Sequence, residues 1–177
     1  MSGPSFIVPP LSWDDIGIRA NRIRSLFKLD DAPYLPIMDI LEQVLGRYLE
    51  GFEFLIGDRT EMDGAEGYTC PSGTFIMLDN DVYIEGCKGN GRARFTAAHE
   101  LGHLVLHTNI KLARITEHTD VKAYRLTEPQ ANQFAAEILM PRRHIKRSDT
   151  ESEIMDRFGV SYEAADNRLR YIRKKQK

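Results

Sequence analysis

The 177-residue sequence predicts an α+β fold in which helices at both ends of the chain flank a small, mostly antiparallel sheet. Three observations lead to this prediction. Apolar residues recur at helical spacing over residues 13–45 and again over residues 127–174. Residues 52–85 consist of short β-forming runs separated by turn sequences. Between these regions, Arg92–Thr108 reads as one long helix.

Bulk composition is that of a globular protein with a real core, at 42% hydrophobic and 28% charged residues. The net charge of −2 provides no general attraction to nucleic acid or to an anionic membrane. Cys70 and Cys87 form no C-x-x-C or dense disulfide pattern, which is typical of free thiols in a reducing compartment. No run of 18 apolar residues and no signal-peptide pattern occurs. We therefore expect a cytoplasmic protein without a membrane partner; the oligomeric state stays open.

The chain is expected to form one domain over residues 1–177. Residues 1–11 contain three prolines and predict an extended arm. Residues 12–141 form the core that would carry the site, and residues 142–177 form a helical extension. This extension has eleven Lys and Arg against six Asp and Glu, so it is basic, whereas the rest of the chain is acidic.

Two helices are predicted before the sheet. Ser12 is placed to cap a helix over residues 13–28, with Asp14 and Asp15 in its first turn. A second helix over residues 36–45 should be ended by Gly46.

Four short runs are predicted as strands because they are rich in β-forming residues. Gly86 to Gly91 should be a flexible turn; it lacks the G-K-[ST] of a phosphate loop. The predicted strands are Phe52–Ile56, Gly67–Thr69, Thr74–Leu78 and Asp81–Glu85.

The Arg92–Thr108 helix contains the pattern H-E-x-x-H, in which His99 and His103 are separated by four residues. On a helix this spacing amounts to ~6 Å along the axis and ~40° around it, so both imidazoles project from one face. They could bind a single Zn²⁺, with Glu100 beside them as the general base of a hydrolase. Gly102 costs ~1 kcal/mol relative to Ala inside a helix. We therefore expect the metal site or a neighbouring strand to approach closely there.

A zinc peptidase requires a third protein ligand and an open position for water. The metzincin continuation needs Gly at position 106 and His at position 109, whereas this chain has Leu106 and Asn109. We predict Glu128 instead, at the start of a helix over Thr127–Leu139.

The same helix start suggests how the site is supported. Thr127 and Gln130 match a T-x-x-Q capping box, and Pro129 is tolerated in a first turn. Asn132 lies one turn after Glu128 and could accept a hydrogen bond from the distal N–H of His99.

Other residues remain alternatives. His107 continues the four-residue series but is rotated ~80° from His99, so it should be a packed or capping histidine. Glu137 lies ~180° around its helix from Glu128 and cannot share the site. The remaining candidates are Glu117, His118 and Asp120 as ligands, His118 and His144 as proton donors, and Tyr68, Tyr83 and Tyr124 as oxyanion donors.

Two further helices, Glu151–Phe158 and Tyr162–Lys174, flank Gly159-Val160-Ser161, where Ser161 can cap the last one. The corner resembles a helix-turn-helix and is followed by basic residues. A basic terminal helix is usually a solvated face, however, and the chain as a whole is acidic. We expect no direct contact with nucleic acid.

Two segments together resemble the ImmA/IrrE family of metallopeptidases. They are residues 94–107, RFTAAHELGHLVLH, and residues 128–141, EPQANQFAAEILMP. Phe158-Gly159-Val160-Ser161 and Arg168-Leu169 also match, and Gln130 departs, because many members have a second acid there. The resemblance implies a gluzincin-like domain, cytoplasmic and mostly bacterial or phage-borne. It also implies a role in transcription regulation, by inactivating a helix-turn-helix repressor encoded nearby.

The predicted activity is that of a zinc endopeptidase acting on a protein, in which His99, His103 and Glu128 hold Zn²⁺ and Glu100 is the base. The alternative is a regulator that keeps the zinc fold but sequesters a repressor without turnover. Binding of DNA through the C-terminal helices is a third possibility, disfavoured by the charge balance.

Overall fold

The computed structural model describes residues 5–110, 113–114 and 121–175. Its helices and strands confirm the α+β class. The helices are α1 (Trp13–Leu26), α2 (Ile37–Asp39), α3 (Asn80–Cys87), α4 (Gly91–His107), α5 (Thr127–Leu139), α6 (Glu151–Phe158) and α7 (Tyr162–Lys175). The strands are β1 (Phe6–Ile7), β2 (Glu53–Gly57), β3 (Gly67–Thr69), β4 (Phe75–Asp79) and β5 (Ala113–Arg114).

The central sheet has the strand order β2-β4-β3. β3 runs antiparallel to β4, with Gly67 opposite Leu78, but β2 runs parallel to β4, with Glu53 opposite Phe75. The sheet is therefore mixed, which corrects the expectation of a mostly antiparallel one. The reason is that β2 and β3 are consecutive in the chain but not neighbours in the sheet. β4 returns between them, so its direction matches that of β2.

The predicted strand Asp81–Glu85 is wrong, because these residues lie in helix α3. Asp79 ends β4 and caps α3, its carboxylate accepting a hydrogen bond from the N–H of Val82 at 3.4 Å. Val82 and Gly86 are the buried residues of α3 and are four positions apart, which is helical spacing. The sequence favoured a strand here because Val, Tyr and Ile at positions 82–84 are all common in strands.

The first helix follows the prediction at its start. Ser12 and Asp15 form a reciprocal capping box at the N-terminus of α1. The second predicted helix is less regular: α2 continues as a π-helical turn over Ile40–Val44 and a 3-10 turn over Leu45–Arg47. Gly46 thus lies inside the helical segment and does not end it.

Helices α4 and α5 pack directly against each other, and this contact explains Gly102. A Cβ atom on Gly102 would lie 3.2 Å from both Cα and O of Ala131, and 3.2 Å from the ring of Phe134. The close approach is therefore that of α5, not of a strand or of the metal site, which corrects the sequence expectation. It brings the face of α4 that carries His99 against the start of α5.

The predicted N-terminal arm is extended from residue 5 and lies along the segment that leads into α5. β1 pairs antiparallel with β5, and Ile7 bridges Leu126. The N–H of Val8 donates to the carbonyl of Arg125 at 2.9 Å. The N–H of Leu11 donates to the carbonyl of Tyr124 at 3.1 Å. The division of the chain into arm, core and extension stays a prediction.

Helices α6 and α7 pack on each other, and α7 contacts the side of α5 that carries Glu137. As predicted, the hydroxyl of Ser161 caps α7 by accepting the N–H of Ala164 at 3.3 Å. Arg168 is buried and forms a two-point ion pair with Glu137, at 2.8 and 2.6 Å. This arginine stabilises the packing of α7 on α5 and is not available to a phosphate group. Over residues 5–110, 113–114 and 121–175, no helix combines the length and apolar character needed to cross a membrane.

Candidate metal centre

Three side chains from α4 and α5 converge at one point. His99 and His103 lie one turn apart on α4, and their Nε2 atoms are 2.9 Å from each other. The carboxylate of Glu128, in the first turn of α5, places Oε2 3.2 Å from Nε2 of His99 and Oε1 3.2 Å from Nε2 of His103. Within the part of the chain that the structure describes, this is the group of His, Cys, Asp or Glu side chains that could hold a metal ion.

The start of α5 is built differently from the sequence prediction. Its N-cap is Leu126, without a side-chain cap, so the predicted T-x-x-Q box is not formed. The hydroxyl of Thr127 accepts the N–H of Phe6 from β1 at 3.0 Å instead. The amide of Gln130 turns inward, toward α4 and the arm. The side chains of Thr127 and Gln130 are hydrogen-bonded to the N-terminal arm instead of capping α5. The sequence near α5 could not indicate this, because Phe6 and Thr127 are 121 residues apart.

The residues fit a small cation. Ligands of a tetrahedral metal with bonds of 2.0–2.1 Å are separated by about 3.3 Å, close to the distances among these three groups. Oε2 of Glu128 is buried and accepts no hydrogen bond from the described residues, although Nε2 of His99 lies 3.2 Å away. A buried anion requires a positive partner.

The pKa values of Glu128 and His99 also indicate that this group of side chains favours a positive charge among them. Burial acts to raise the pKa of Glu128, but its contacts with His103 and His99 outweigh this and lower the pKa to about 2. Burial acts to lower the pKa of His99, but Glu128 and Glu100 outweigh it and raise the pKa. Without a metal, the group therefore attracts a proton. A metal cation would take the place of that proton and keep Glu128 ionised, as a ligand must be.

Asn132 supports His99 in the way that the four-residue spacing suggests. Its Oδ1 atom lies 2.9 Å from Nδ1 of His99. With Nδ1–H donating to Asn132, the lone pair of the ring is on Nε2, which faces Glu128 and His103. Such an outer bond sets the tautomer and orientation of a metal-binding imidazole.

His103 is supported by a second hydrogen-bond chain. Its Nδ1 lies 3.0 Å from Nδ1 of His107, and Nε2 of His107 lies 3.0 Å from Oε1 of Gln130. His107 is buried, and burial is the main reason why its pKa is lowered to about 4, so the ring is neutral near pH 7. His107 is therefore a packed histidine, as the sequence predicts, and it is hydrogen-bonded to His103.

Glu100 is positioned by two residues of β3. The hydroxyl of Thr69 lies 2.7 Å from Oε2 of Glu100 and 2.9 Å from its main-chain carbonyl. A hydroxyl has one proton, and the charged carboxylate is the stronger acceptor. At Gly67 the strand leaves room for the glutamate, since a Cβ atom there would lie 2.6 Å from Cγ of Glu100. The carboxylate is thus confined between α4 and β3.

Sequence reasoning missed Gly67 and Thr69 as functional residues. A glycine at the start of a predicted strand is a weak signal of close approach by another element. It did not indicate which element approached, because the contact spans more than 30 residues.

A cleft of about 490 Å³ opens over the three convergent side chains. Its lining comes from β3 with the turn after it, from α4 and the start of α5, and from Phe6 of the arm. Among residues 5–110, 113–114 and 121–175, β3 pairs with β4 alone and is an edge strand of the central sheet. An extended chain could therefore reach Glu100 along this edge.

Of the alternative proton donors and oxyanion donors that the structure describes, most do not line the cleft. Tyr68 lines the cleft and is 46% exposed. The hydroxyl of Tyr83 donates to Glu42 at 3.2 Å, and His144 binds the carbonyl of Asp30 at 2.9 Å; neither residue lines the cleft, nor does Tyr124. Glu117, His118 and Asp120 lie outside the described residues.

The convergent His, His and Glu side chains could hold a metal ion, and the family that the chain matches implies a metallopeptidase-type domain. Residues 60–170 match the Peptidase M78 family, the IrrE N-terminal-like domain. The chain belongs to this family, which confirms the resemblance found in its sequence. The match includes α4, α5 and β3 but excludes the N-terminal arm. No curated protein matches the chain.

Proposed function

We propose that the protein is a zinc-dependent endopeptidase. The observation that carries the proposal is the arrangement of His99, His103 and Glu128 around one point, with the carboxylate of Glu100 confined beside them. Two imidazoles and one carboxylate are a ligand set used by catalytic zinc, which leaves a further position open. A structural zinc site needs no additional acid, whereas a hydrolase does.

The chain's own residues would divide the chemistry between them. Zinc, when bound, supplies a Lewis acid at the point where the three ligands converge. Glu100 accepts a proton from the attacking water and transfers it to the amine that leaves. Thr69 donates to Oε2 of Glu100 and so keeps the carboxylate aligned. Tyr68 lies between Gly67 and Thr69 on β3, so its ring projects from the opposite face of the strand, where it contacts the ring of Phe75 with the ring centroids 5.8 Å apart, and it is assigned no part in the reaction.

The substrate in this proposal is a protein that binds in extended form along the free edge of β3. The edge lies beside Glu100, so a strand added there places its peptide bonds within reach of the base. We propose a helix-turn-helix repressor encoded near this chain's gene as the physiological substrate. A cytoplasmic location is part of the same proposal and is supported by two free cysteines, Cys70 and Cys87.

The test uses the wild-type protein and Glu100→Gln, which removes the base but keeps the size of the side chain. Both are loaded with zinc, assayed for metal by mass spectrometry, and incubated with the neighbouring repressor and with casein. We expect equal zinc and fragments from the wild type alone. Undiminished cleavage by Glu100→Gln at full zinc content would refute the role of the base. Stable binding of the repressor without any fragments would favour sequestration instead.

A further inference from the structure

Gln130 joins the candidate metal centre to the N-terminal arm. Its side chain is fully buried in the first turn of α5, two residues after Glu128. Oε1 lies 3.0 Å from Nε2 of His107, whose Nδ1 lies 3.0 Å from Nδ1 of His103. On the other side, Nε2 of Gln130 donates to the carbonyl of Pro9 at 3.1 Å and to that of Tyr124 at 2.7 Å.

The partners of this amide determine which nitrogen of His107 carries a proton toward Gln130. The carbonyls of Pro9 and Tyr124 can only accept, so they identify the –NH₂ group of Gln130. Oε1 can then only accept, which requires a proton on Nε2 of His107. A zinc-bound His103 presents the lone pair of Nε2 to the metal and carries its proton on Nδ1, so Nδ1 of His103 donates and Nδ1 of His107 accepts. His103 is left with its lone pair on Nε2, toward Glu128 and His99.

The arm contacts the centre from a second direction as well. The N–H of Phe6 donates to the hydroxyl of Thr127, the residue before Glu128. The carbonyl of Tyr124 that accepts from Gln130 also accepts the N–H of Leu11. The docked arm is therefore hydrogen-bonded to the start of α5, which carries Glu128. Through Gln130 and His107 it is also linked to His103.

We propose that Gln130 is a positioning residue that couples docking of the N-terminal arm, residues 5–11, to metal binding. It does so by holding His107, and through it His103, in the tautomer that turns a lone pair toward the metal. This inference rests on the proposed function only in requiring that the three ligands bind zinc. It makes the arm, which lies outside the matched family region, a part of the metal centre.

The coupling has a size and a direction. Loss of an outer hydrogen-bond partner typically weakens metal affinity 10- to 100-fold, so we expect a loss of about 10-fold when Gln130 is replaced. Coupling between two equilibria is reciprocal. Zinc must therefore stabilise the docked arm, and a partner that pulls the arm away must weaken zinc binding by the same factor.

The experiment compares the full-length wild type with Gln130→Leu, Gln130→Glu and the matched control Gln133→Leu. Gln133 lies on the same helix, but its amide donates to Glu137 at 2.8 Å and takes no part in the chain. The dissociation constant for zinc is measured by competition with a chelator. Hydrogen–deuterium exchange of residues 5–11 is measured with and without zinc.

We expect zinc to slow exchange in the arm of the wild type and of Gln133→Leu. Gln130→Leu should bind zinc about 10-fold more weakly than either. Gln130→Glu still accepts from His107 but places a carboxylate against the carbonyls of Pro9 and Tyr124. Its arm should exchange faster and no longer respond to zinc.

Each outcome decides between the two proposals. A wild-type protein that binds no zinc refutes the proposed function, and this inference with it. If the wild type binds zinc, equal affinities for Gln130→Leu and Gln133→Leu overturn the inference alone. Should Gln130→Leu fail to fold, Gln130→Glu decides: an arm that zinc protects as in the wild type overturns the coupling.

Discussion

Replacement of Gly67 by alanine should impair catalysis without removing the metal. A Cβ atom at position 67 would lie 2.6 Å from Cγ, 2.9 Å from Oε1 and 3.0 Å from Cδ of Glu100. Ordinary contact begins at 3.4 Å, so the side chain of Glu100 must move by about 1 Å. The backbone at position 67 is not in the left-handed region, so alanine adds no backbone strain.

The magnitude follows from the geometry of the base. A misplacement of about 1 Å in a reacting group costs on the order of 100-fold in rate, equivalent to about 2.7 kcal/mol in the barrier. The three metal ligands lie on α4 and α5, and the three atoms nearest the added methyl group all belong to Glu100, so zinc content should stay at the wild-type level. Activity and metal content should therefore separate.

The assay measures single-turnover cleavage of a substrate that the wild type cuts, together with bound zinc and the unfolding temperature. Gly46→Ala is the matched control, because its Cβ would meet only the carbonyl of Phe52, at 3.7 Å. We expect Gly46→Ala to behave as the wild type. Wild-type turnover by Gly67→Ala with full zinc would refute the confinement of Glu100. Loss of zinc together with activity would show that the ligands had moved instead.

Three further results are expected. Asn132→Leu removes the acceptor for the Nδ1–H of His99 and should weaken zinc binding about 10-fold, measured by competition with a chelator. An unaltered zinc affinity would show that Asn132 does not support the metal-binding form of His99. Thr69→Val should lower the rate constant for cleavage but not zinc content, because it removes the donor to Glu100, whereas Thr69→Ser should restore the rate; equal rates for the two variants would exclude the hydrogen bond. Hydrogen bonds from the side chain of Arg157 are the main reason why the pKa of Asp149 lies below its ordinary 3.8, so this stabilisation is complete above that pH and is lost as the pH falls through the lower folded-state pKa. Asp149→Asn should therefore lower the free energy of unfolding by about 1–2 kcal/mol near neutral pH, and the deficit, measured in urea, should shrink as the pH falls below 3.8; a constant deficit would contradict the assignment.

Local geometry explains how much of the site could be predicted. The spacing of His99 and His103 places two imidazoles on one face wherever the segment is helical, whatever surrounds it. The same periodicity puts Asn132 one turn after Glu128 and points Glu137 away from them. Short-range capping was likewise readable at Ser12 and Ser161, since each bond joins residues three apart.

Local rules failed where a distant segment competed for the same groups. Thr127 and Gln130 match a capping box, but the arm, 121 positions away, binds both side chains. The strand predicted at Asp81–Glu85 is a helix because Asp79 caps it and Val82 packs into the core. No single strand specifies its partner either, which is why the parallel pairing of β2 and β4 was not predicted.

By itself, then, the sequence determined the α+β class, the family, and a face of α4 with two imidazoles beside a glutamate. Only the tertiary structure decided that Gly67 and Thr69 confine Glu100, that α5 packs at Gly102, and that Gln130 links the site to the arm. The physical reason is distance along the chain. Helical periodicity acts over four residues, whereas these contacts join residues about 30 to 120 positions apart and form only when whole elements pack together.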